Sequence, residues 1–161
     1  MGGRTRFQEA LASYANVLLD TMVLVYLLEG HTRYASLAEK TLETIESGAM
    51  AGIISVVTLA EILTAPAQAG DRTAMRDYEL HLLNFPHLTI WDVTVDIARE
   101  AAQLRAHTGL PMPDALILAT ATVANADAVI TNDKRWRKKV PECAILILDD
   151  YVDASPEDAA P

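Results

Sequence analysis

Short apolar segments rich in Val and Ile alternate with segments of helical spacing along most of this chain. The apolar segments are residues 17–19, 51–57, 88–93, 127–131 and 143–150. Strands that are apolar throughout are typical of parallel sheets buried on both faces. Helices must then connect the strands and cover both sides of the sheet. The alternation predicts an α/β fold in which a central parallel sheet of about five strands lies between helical layers.

Helical spacing of apolar residues, together with residues that favour helix ends, marks the segments between the strands. We predict helices over residues 21–28, 33–48, 58–65, 72–85, 94–109 and 113–126. The helix that starts at Thr58 is expected to end before Pro66, because proline disfavours a helix interior. Thr94 is the predicted N-cap of the helix that ends at Gly109.

The length of 161 residues favours one domain, which we place at residues 15–150. Residues 1–14 are interpreted as an N-terminal extension and residues 151–161 as a disordered acidic tail. The single cysteine, Cys143, excludes an internal disulfide and indicates the reducing cytoplasm. No apolar run approaches the roughly 20 residues that span a bilayer, so we expect no membrane association.

The net charge of −9, from 13 basic and 22 acidic residues, excludes a nucleic-acid binder with a broad basic face. The chain must bind something else, or bind phosphate through a metal and a local basic patch. One such patch exists, since the run KRWRKK at 134–139 holds five of the 13 basic residues.

Four acidic residues occupy related places on the predicted frame. Asp20 ends the first strand, Glu61 lies in the first turn after the second strand, and Asp133 closely follows the fourth strand. Asp114 lies in the first turn of the helix that opens at Pro113. Because parallel strands end at the same edge of a sheet, where ligands bind, we expect these carboxylates to share one pocket.

Each of these acids also has a purely structural explanation. Asp20 and Asp133 fit helix N-caps, and Glu61 fits a capping box with Thr58. Asp114 suits the positive end of a helix dipole. Caps do not require such apolar flanks, however, so four acids at one edge favour a joint site.

Clustered carboxylates repel one another, and burying several uncompensated charges is costly. A divalent cation removes this conflict, and Mg²⁺ or Mn²⁺ prefers such hard oxygen ligands. A metal of this kind that also binds a substrate phosphate promotes phosphodiester hydrolysis. The cluster therefore predicts a Mg²⁺- or Mn²⁺-dependent phosphodiesterase.

Four segments resemble the acidic motifs of PIN domains, in the same order over about residues 15–149. These segments are LLDTMVLVYLL, SVVTLAEIL, LPMPDALILATA and VITNDKRW. The similarity is greatest to VapC-type toxins of type II toxin–antitoxin systems. It implies an endoribonuclease on a three-layer α/β/α sandwich.

The resemblance assigns roles to particular residues. It implies that the catalytic and metal-binding quartet is Asp20, Glu61, Asp114 and Asp133. Thr21 and Thr131 match hydroxyl residues that accompany the first and last acids. One departure is Met22, which stands where many relatives carry Asn or Ser.

The resemblance also implies partners, namely an RNA substrate and a cognate antitoxin. We expect RNA to approach over KRWRKK, where Lys134, Arg137 and Lys138 would share one helical face by their spacing. Trp136 could stack on a base or pack under the sheet. Helices 33–48 and 72–85 carry more apolar residues than a thin domain can bury, which predicts a homodimer.

Two alternatives remain beside the ribonuclease. One is a non-catalytic PIN-like binding module, and the other is a different phosphotransfer domain with an acidic pocket. A phosphoacceptor receiver domain would need an acidic pair at the first strand end, where Asp20 stands alone. A dehalogenase-type phosphatase needs Asp-x-Asp, whereas Asp20 begins the sequence Asp-Thr-Met.

Overall fold

The structure, a computed structural model, describes residues 2–153. Its strands are β1 (Asn16–Leu19), β2 (Ala51–Ser55), β3 (Leu88–Trp91), β4 (Ala128–Thr131) and β5 (Ala144–Ile147). Its helices are α1 (Gly3–Leu11), α2 (Thr21–Glu29), α3 (Ala35–Glu46), α4 (Val56–Gln68), α5 (Arg72–Leu83), α6 (Val95–Thr108) and α7 (Met112–Val123). Two short 3-10 helices, Lys134–Trp136 and Leu148–Tyr151, flank β5.

The five strands form one parallel sheet in the order β3-β2-β1-β4-β5, which confirms the predicted fold class. The central strand β1 is paired on both sides, and its Val17, Leu18 and Leu19 are fully buried. Leu19 pairs with Ile130 of β4. This register places the residue after β1 beside the last residue of β4.

Helices cover both faces of the sheet. Val17 and Leu19 face a core that includes residues of α1, α2 and α3. Leu18 faces the opposite core, where it packs with Ile117 and Leu118 of α7. Because successive strand residues point to opposite faces, an apolar β1 requires an apolar layer on each side.

The predicted N-terminal extension contains a helix that belongs to the core. Phe7 and Leu11 of α1 are fully buried. The Phe7 ring packs edge-on against Tyr151, with ring centroids 5.1 Å apart. The Gly3 N–H donates to an oxygen of Asp153 at 3.0 Å. Tyr151 to Asp153 are therefore packed against α1, and the rest of the predicted disordered tail, 154–161, lies outside the described residues.

The predicted boundaries of α4 were wrong at both ends. The helix begins at Val56, because the Ser55 hydroxyl accepts from the Val57 N–H at 3.1 Å and caps it. It then runs through Pro66 to Gln68. Ile62 and Pro66 are both buried on one side of the helix, so packing outweighs the backbone hydrogen bond that proline lacks. Glu61 consequently lies in the second turn, and Thr58 is a buried residue of the first turn.

Other predicted features of the helices were confirmed. The Thr94 hydroxyl accepts from the Ile97 N–H at 3.2 Å and caps α6. Gly109 ends that helix in the left-handed conformation, with φ of 71°. Within residues 2–153, none of the helices combines the length and apolarity that crossing a bilayer requires.

The packing of α1 predicts a large effect for Phe7→Ala. The substitution removes a fully buried ring, so we expect a loss of about 3–5 kcal/mol in the free energy of unfolding, measured by urea denaturation. Gln8→Ala, at the exposed neighbouring position, should change this free energy by less than about 0.5 kcal/mol. Equal effects of the two substitutions would show that α1 does not pack on the sheet in solution.

Candidate functional site

The predicted acidic residues gather at the edge where the parallel strands end. Asp20 directly follows β1, and Asp133 lies two residues beyond β4. Asp114 is in the first turn of α7, and Glu61 is in the second turn of α4. The charges of Asp114 and Glu61 both act on Asp20, and Arg135 joins Asp114 to Asp133. The four acids therefore occupy one region.

Asp20 is the most deeply placed of these carboxylates, with only 6% of its surface exposed. Its Oδ2 accepts a hydrogen bond of 2.6 Å from the Thr131 hydroxyl. Burial raises the pKa of Asp20 to about 6, and the charges of Asp114 and Glu61 add to this rise, while the Thr131 hydrogen bond opposes it. Although Asp20 occupies the N-cap position of α2, its side chain makes no capping hydrogen bond.

Glu61 is held through a pair of threonines. The Thr21 hydroxyl oxygen lies 3.0 Å from Thr58 Oγ1 and 3.0 Å from Glu61 Oε1. A carboxylate only accepts, so Thr21 donates its single proton to Glu61 and accepts from Thr58. The capping box that was the alternative explanation for Glu61 is therefore not formed, since Ser55 caps the helix and Thr58 contacts Thr21.

Arg135 lies between the other two carboxylates. Its Nη2 is 3.3 Å from Asp114 Oδ2, and its Nε is 3.0 Å from both carboxylate oxygens of Asp133. Asp133 also accepts from the Arg135 N–H at 2.9 Å, so it caps the first 3-10 helix as the structural explanation supposed.

Arg135 and burial affect the two carboxylates differently. Hydrogen bonds from Arg135 lower the pKa of Asp133. Burial raises the pKa of Asp114, against the opposing charge of Arg135. The sequence analysis missed Arg135, which is separated by one residue from Asp133 in a tight turn.

The residue types at this edge fit a hard divalent cation, because every candidate donor is a carboxylate or hydroxyl oxygen. The buried Asp20, close to two further negative charges, is a group that a cation would stabilise. As the side chains stand, however, no three acidic, histidine or cysteine side chains of residues 2–153 are arranged to hold a metal. Asp114 and Asp133 are paired with Arg135 instead.

The basic run does not form the predicted helical face. Its 3-10 helix ends at Trp136, and Lys138 adopts a left-handed backbone with φ of 57°. The shared-face argument for Lys134, Arg137 and Lys138 is therefore wrong. Lys134 Nζ binds Asp149 Oδ2 at 2.7 Å, and Arg137 Nη2 binds an oxygen of Asp150 at 2.7 Å.

Trp136 packs in the core rather than on the surface. Only 1% of it is exposed, and it contacts the core that includes Leu118 and Val129. Its indole N–H is buried without a hydrogen bond to the described residues, although it lies near enough to Asp114 to lower the pKa of that carboxyl. Stacking on an RNA base is excluded for a ring in this position.

Asp149 is a second residue that the sequence analysis did not single out. It accepts from the Tyr34 hydroxyl at 2.8 Å and pairs with Lys134 and with Arg33 at 3.3 Å. Its N–H donates to Asn132 Oδ1 at 2.9 Å. These contacts of Asp149 fix the position of the segment between β4 and Asp133. They join residues that are distant in sequence, so the local sequence does not predict them.

Residues 17–140 match the model of the PIN domain family. The chain belongs to the PIN domain family. A comparison with curated proteins found no match.

Solved structures with a similar fold share between 17% and 24% of their residues with this chain. A toxin–antitoxin complex from Klebsiella pneumoniae is 24% identical, with a TM-score of 0.63 over 82% of this chain and 97% of that chain. VapBC2 from Rickettsia felis, bound to a DNA fragment from its promoter, is 21% identical, with a TM-score of 0.64 over 82% and 98%. FitAcB from Neisseria gonorrhoeae is 20% identical, with a TM-score of 0.63 over 82% and 97%. At these identities the likeness shows the fold.

Burial of Asp20 predicts that Asp20→Asn stabilises the metal-free protein in a pH-dependent way. The pKa of Asp20 is about 6 in the fold and 3.8 as a free side chain. The unfolded chain therefore ionises first, and the folded state loses stability as the pH rises from about 4 to about 6. Because Asn does not ionise, the substitution should add about 3 kcal/mol at pH 8 and only about 1 kcal/mol at pH 4.5.

Urea denaturation of the parent and Asp20→Asn proteins in EDTA at both pH values measures this difference. Asp77→Asn removes an exposed carboxylate on α5 and should have little effect at either pH. A gain for Asp20→Asn that is the same at pH 4.5 and pH 8 would contradict the cost assigned to the buried charge.

Proposed function

We propose that this PIN domain is a Mg²⁺- or Mn²⁺-dependent endoribonuclease and the toxin of a toxin–antitoxin pair. The observation that carries the proposal is the position of Asp20. It is a buried carboxylate with a raised pKa, at the ligand-binding edge of a parallel sheet, within range of the charges of Asp114 and Glu61.

The proposed roles follow from the place of each side chain. Asp20 and Asp114 would bind the metal directly, while Glu61 and Asp133 would bind it or orient the waters around it. A bound Mg²⁺ or Mn²⁺ would polarise the phosphodiester and supply an activated water. Thr131 holds Asp20 in a fixed orientation.

RNA is the proposed substrate, and its backbone requires positive charge in a chain of net charge −9. Lys134, Arg137 and Lys138 remain candidates for this contact. The ion pairs of Lys134 with Asp149 and of Arg137 with Asp150 reduce the positive charge that those two residues offer.

A cognate antitoxin is the first proposed protein partner. Toxin–antitoxin complexes are among the structures with a similar fold, including the one from Klebsiella pneumoniae. A small apolar cleft of about 60 Å³ between α2 and α5 could take one apolar side chain of a partner peptide. Its lining residues are Leu24, Leu27, Leu28, Leu42, Ile62, Tyr78, His81, Leu82, Phe85 and Leu88.

A second copy of the chain is the other proposed protein partner. Leu80 and Leu83 of α5 are 46% and 55% exposed, and Leu28 of α2 is 49% exposed. Leu80 and Leu83 lie one helical turn apart, and exposed apolar residues placed in this way favour an interface. In contrast, Leu37 and Ile45 of α3 are buried within the monomer, so the support for a homodimer comes from α5 and α2.

One observation favours the non-catalytic binding module as an alternative. Arg135 pairs with both Asp114 and Asp133, so these two acids share a partner within the chain. An assay of RNA cleavage distinguishes a binding module from a nuclease.

We predict that Asp20→Asn and Asp114→Asn each lower RNA cleavage in Mn²⁺ at least about 100-fold, since each removes a metal-binding charge. Cleavage is measured on gels with a labelled single-stranded RNA, and circular dichroism confirms that the variants fold. The exposed Asp77→Asn variant is the matched control. Parent-like cleavage by both site variants would refute the metal site.

We predict that light scattering at high micromolar concentration gives twice the monomer mass of 17.5 kDa. Leu83→Arg should shift the protein towards monomer, because it places a charge in the proposed apolar interface. Gln103→Arg adds an Arg to the exposed side of α6, which packs on the opposite core from α5, and should leave the dimer intact. A monomeric parent protein would contradict the proposed homodimer.

A further inference from the structure

Arg135 lies between two of the four acids that are proposed to hold a metal ion. Its guanidinium bridges carboxylates from two separate elements, Asp114 in α7 and Asp133 beyond β4. These two acids are 19 positions apart in sequence, so the bridge is a tertiary contact and not a by-product of one turn. A single cation already joins half of the predicted quartet.

The backbone of Arg135 is fixed, whereas its side chain is accessible. Arg135 precedes the buried Trp136, and its N–H donates to Asp133. The side chain itself is 63% exposed. Ion pairs with this degree of exposure are weak, so a divalent cation is able to displace the guanidinium without unfolding the 3-10 turn.

The basic residues on either side of Arg135 and Trp136 are paired with acids outside the candidate site. Lys134 is bound to Asp149 and Arg137 to Asp150, and neither acid belongs to the predicted quartet. Arg135 is therefore the basic residue of this run that touches the candidate site. An arginine fork also matches two oxygens of a phosphate, as it matches the two oxygens of Asp133 here.

We propose that Arg135 is the internal counter-ion of the metal site and that it contacts the substrate phosphate once a metal has displaced it. The inference rests on the proposed metal-dependent ribonuclease function. Asp114 and Asp133 would hold the metal, and its charge would then offset the negative charge that now attracts the guanidinium. The Arg135 side chain would then be free to contact a phosphate beside these two acids. Arg135 would thus compete with the metal for Asp114 and Asp133 and would also contribute to RNA binding.

The competition is tested by titrating Mn²⁺ into the metal-free parent protein and into Arg135→Ala, by isothermal titration calorimetry. Arg135→Ala should bind Mn²⁺ about 2- to 5-fold more tightly, because the metal no longer displaces an ion pair. Arg99→Ala is the matched control, since Arg99 is also 63% exposed and pairs with the single acid Asp96, on α6. Its Mn²⁺ affinity should equal that of the parent protein.

The phosphate contact is tested by fluorescence anisotropy with a single-stranded oligoribonucleotide in Ca²⁺, after a gel shows that the RNA stays intact. Arg135→Ala should weaken RNA binding and reduce the slope of log affinity against log salt by about one unit. Arg99→Ala should keep the parent slope. Arg135→Lys should retain most of the salt dependence while losing the two-pronged contact, and therefore bind with intermediate affinity.

Opposite changes in Arg135→Ala, tighter for Mn²⁺ and weaker for RNA, support the inference. Unchanged Mn²⁺ affinity, or weaker Mn²⁺ binding, overturns the counter-ion role, and unchanged RNA affinity and slope overturn the phosphate contact. If one of these roles is overturned but the parent protein cleaves RNA, the proposed ribonuclease function is retained. A parent protein that binds no Mn²⁺ overturns both the inference and the metal-dependent function.

Discussion

The pairing of β1 with β4 is the contact on which the candidate site depends. Leu19 lies opposite Ile130, so Asp20 and Thr131 are brought side by side as the two strands end. A register shift of one residue would exchange the faces of Val17, Leu18 and Leu19, and the close packing of both cores opposes this exchange. The packing that stabilises the sheet therefore also sets the position of the buried carboxylate.

The negative charges of the clustered acids have different partners in the interior and near the solvent. In the interior, the Asp20 carboxylate has a threonine hydroxyl as its partner, and burial raises its pKa. Nearer to solvent, Asp114 and Asp133 share the guanidinium of Arg135. Hydroxyl groups orient a carboxylate without cancelling its charge, whereas a guanidinium does both. The negative charge of Asp20, in the inner part of the site, is therefore the charge that a cation would still stabilise.

The sequence predicted the framework well because its signals are local and repeated. Each strand is a short run rich in branched apolar residues, and each gave a parallel strand close to its expected place. Thr94 and Gly109 bound α6 as expected, since caps depend on a few neighbouring residues. The common edge of the acids followed from the direction of parallel strands alone.

The predictions that failed needed tertiary information. Helix α4 passes through Pro66, because burial of that residue outweighs its local preference. Lys138 leaves the helical conformation, and Arg135 turns back onto Asp133 and Asp114. The number of basic residues in the run could not show which of them would face the acids, because that depends on how the three-residue turn is anchored by its own buried Trp136.

The strand order limits when the acidic site can form during synthesis on the ribosome. The central strand β1 is synthesised first among the strands, yet its neighbour β4 follows more than 100 residues later. Parallel pairing at such separation forms late in folding. Asp20 cannot accept from the Thr131 hydroxyl until β4 has emerged, and Asp133 follows two residues later. A nascent chain therefore cannot assemble this acidic edge from the segment that carries Asp20 and Glu61 alone.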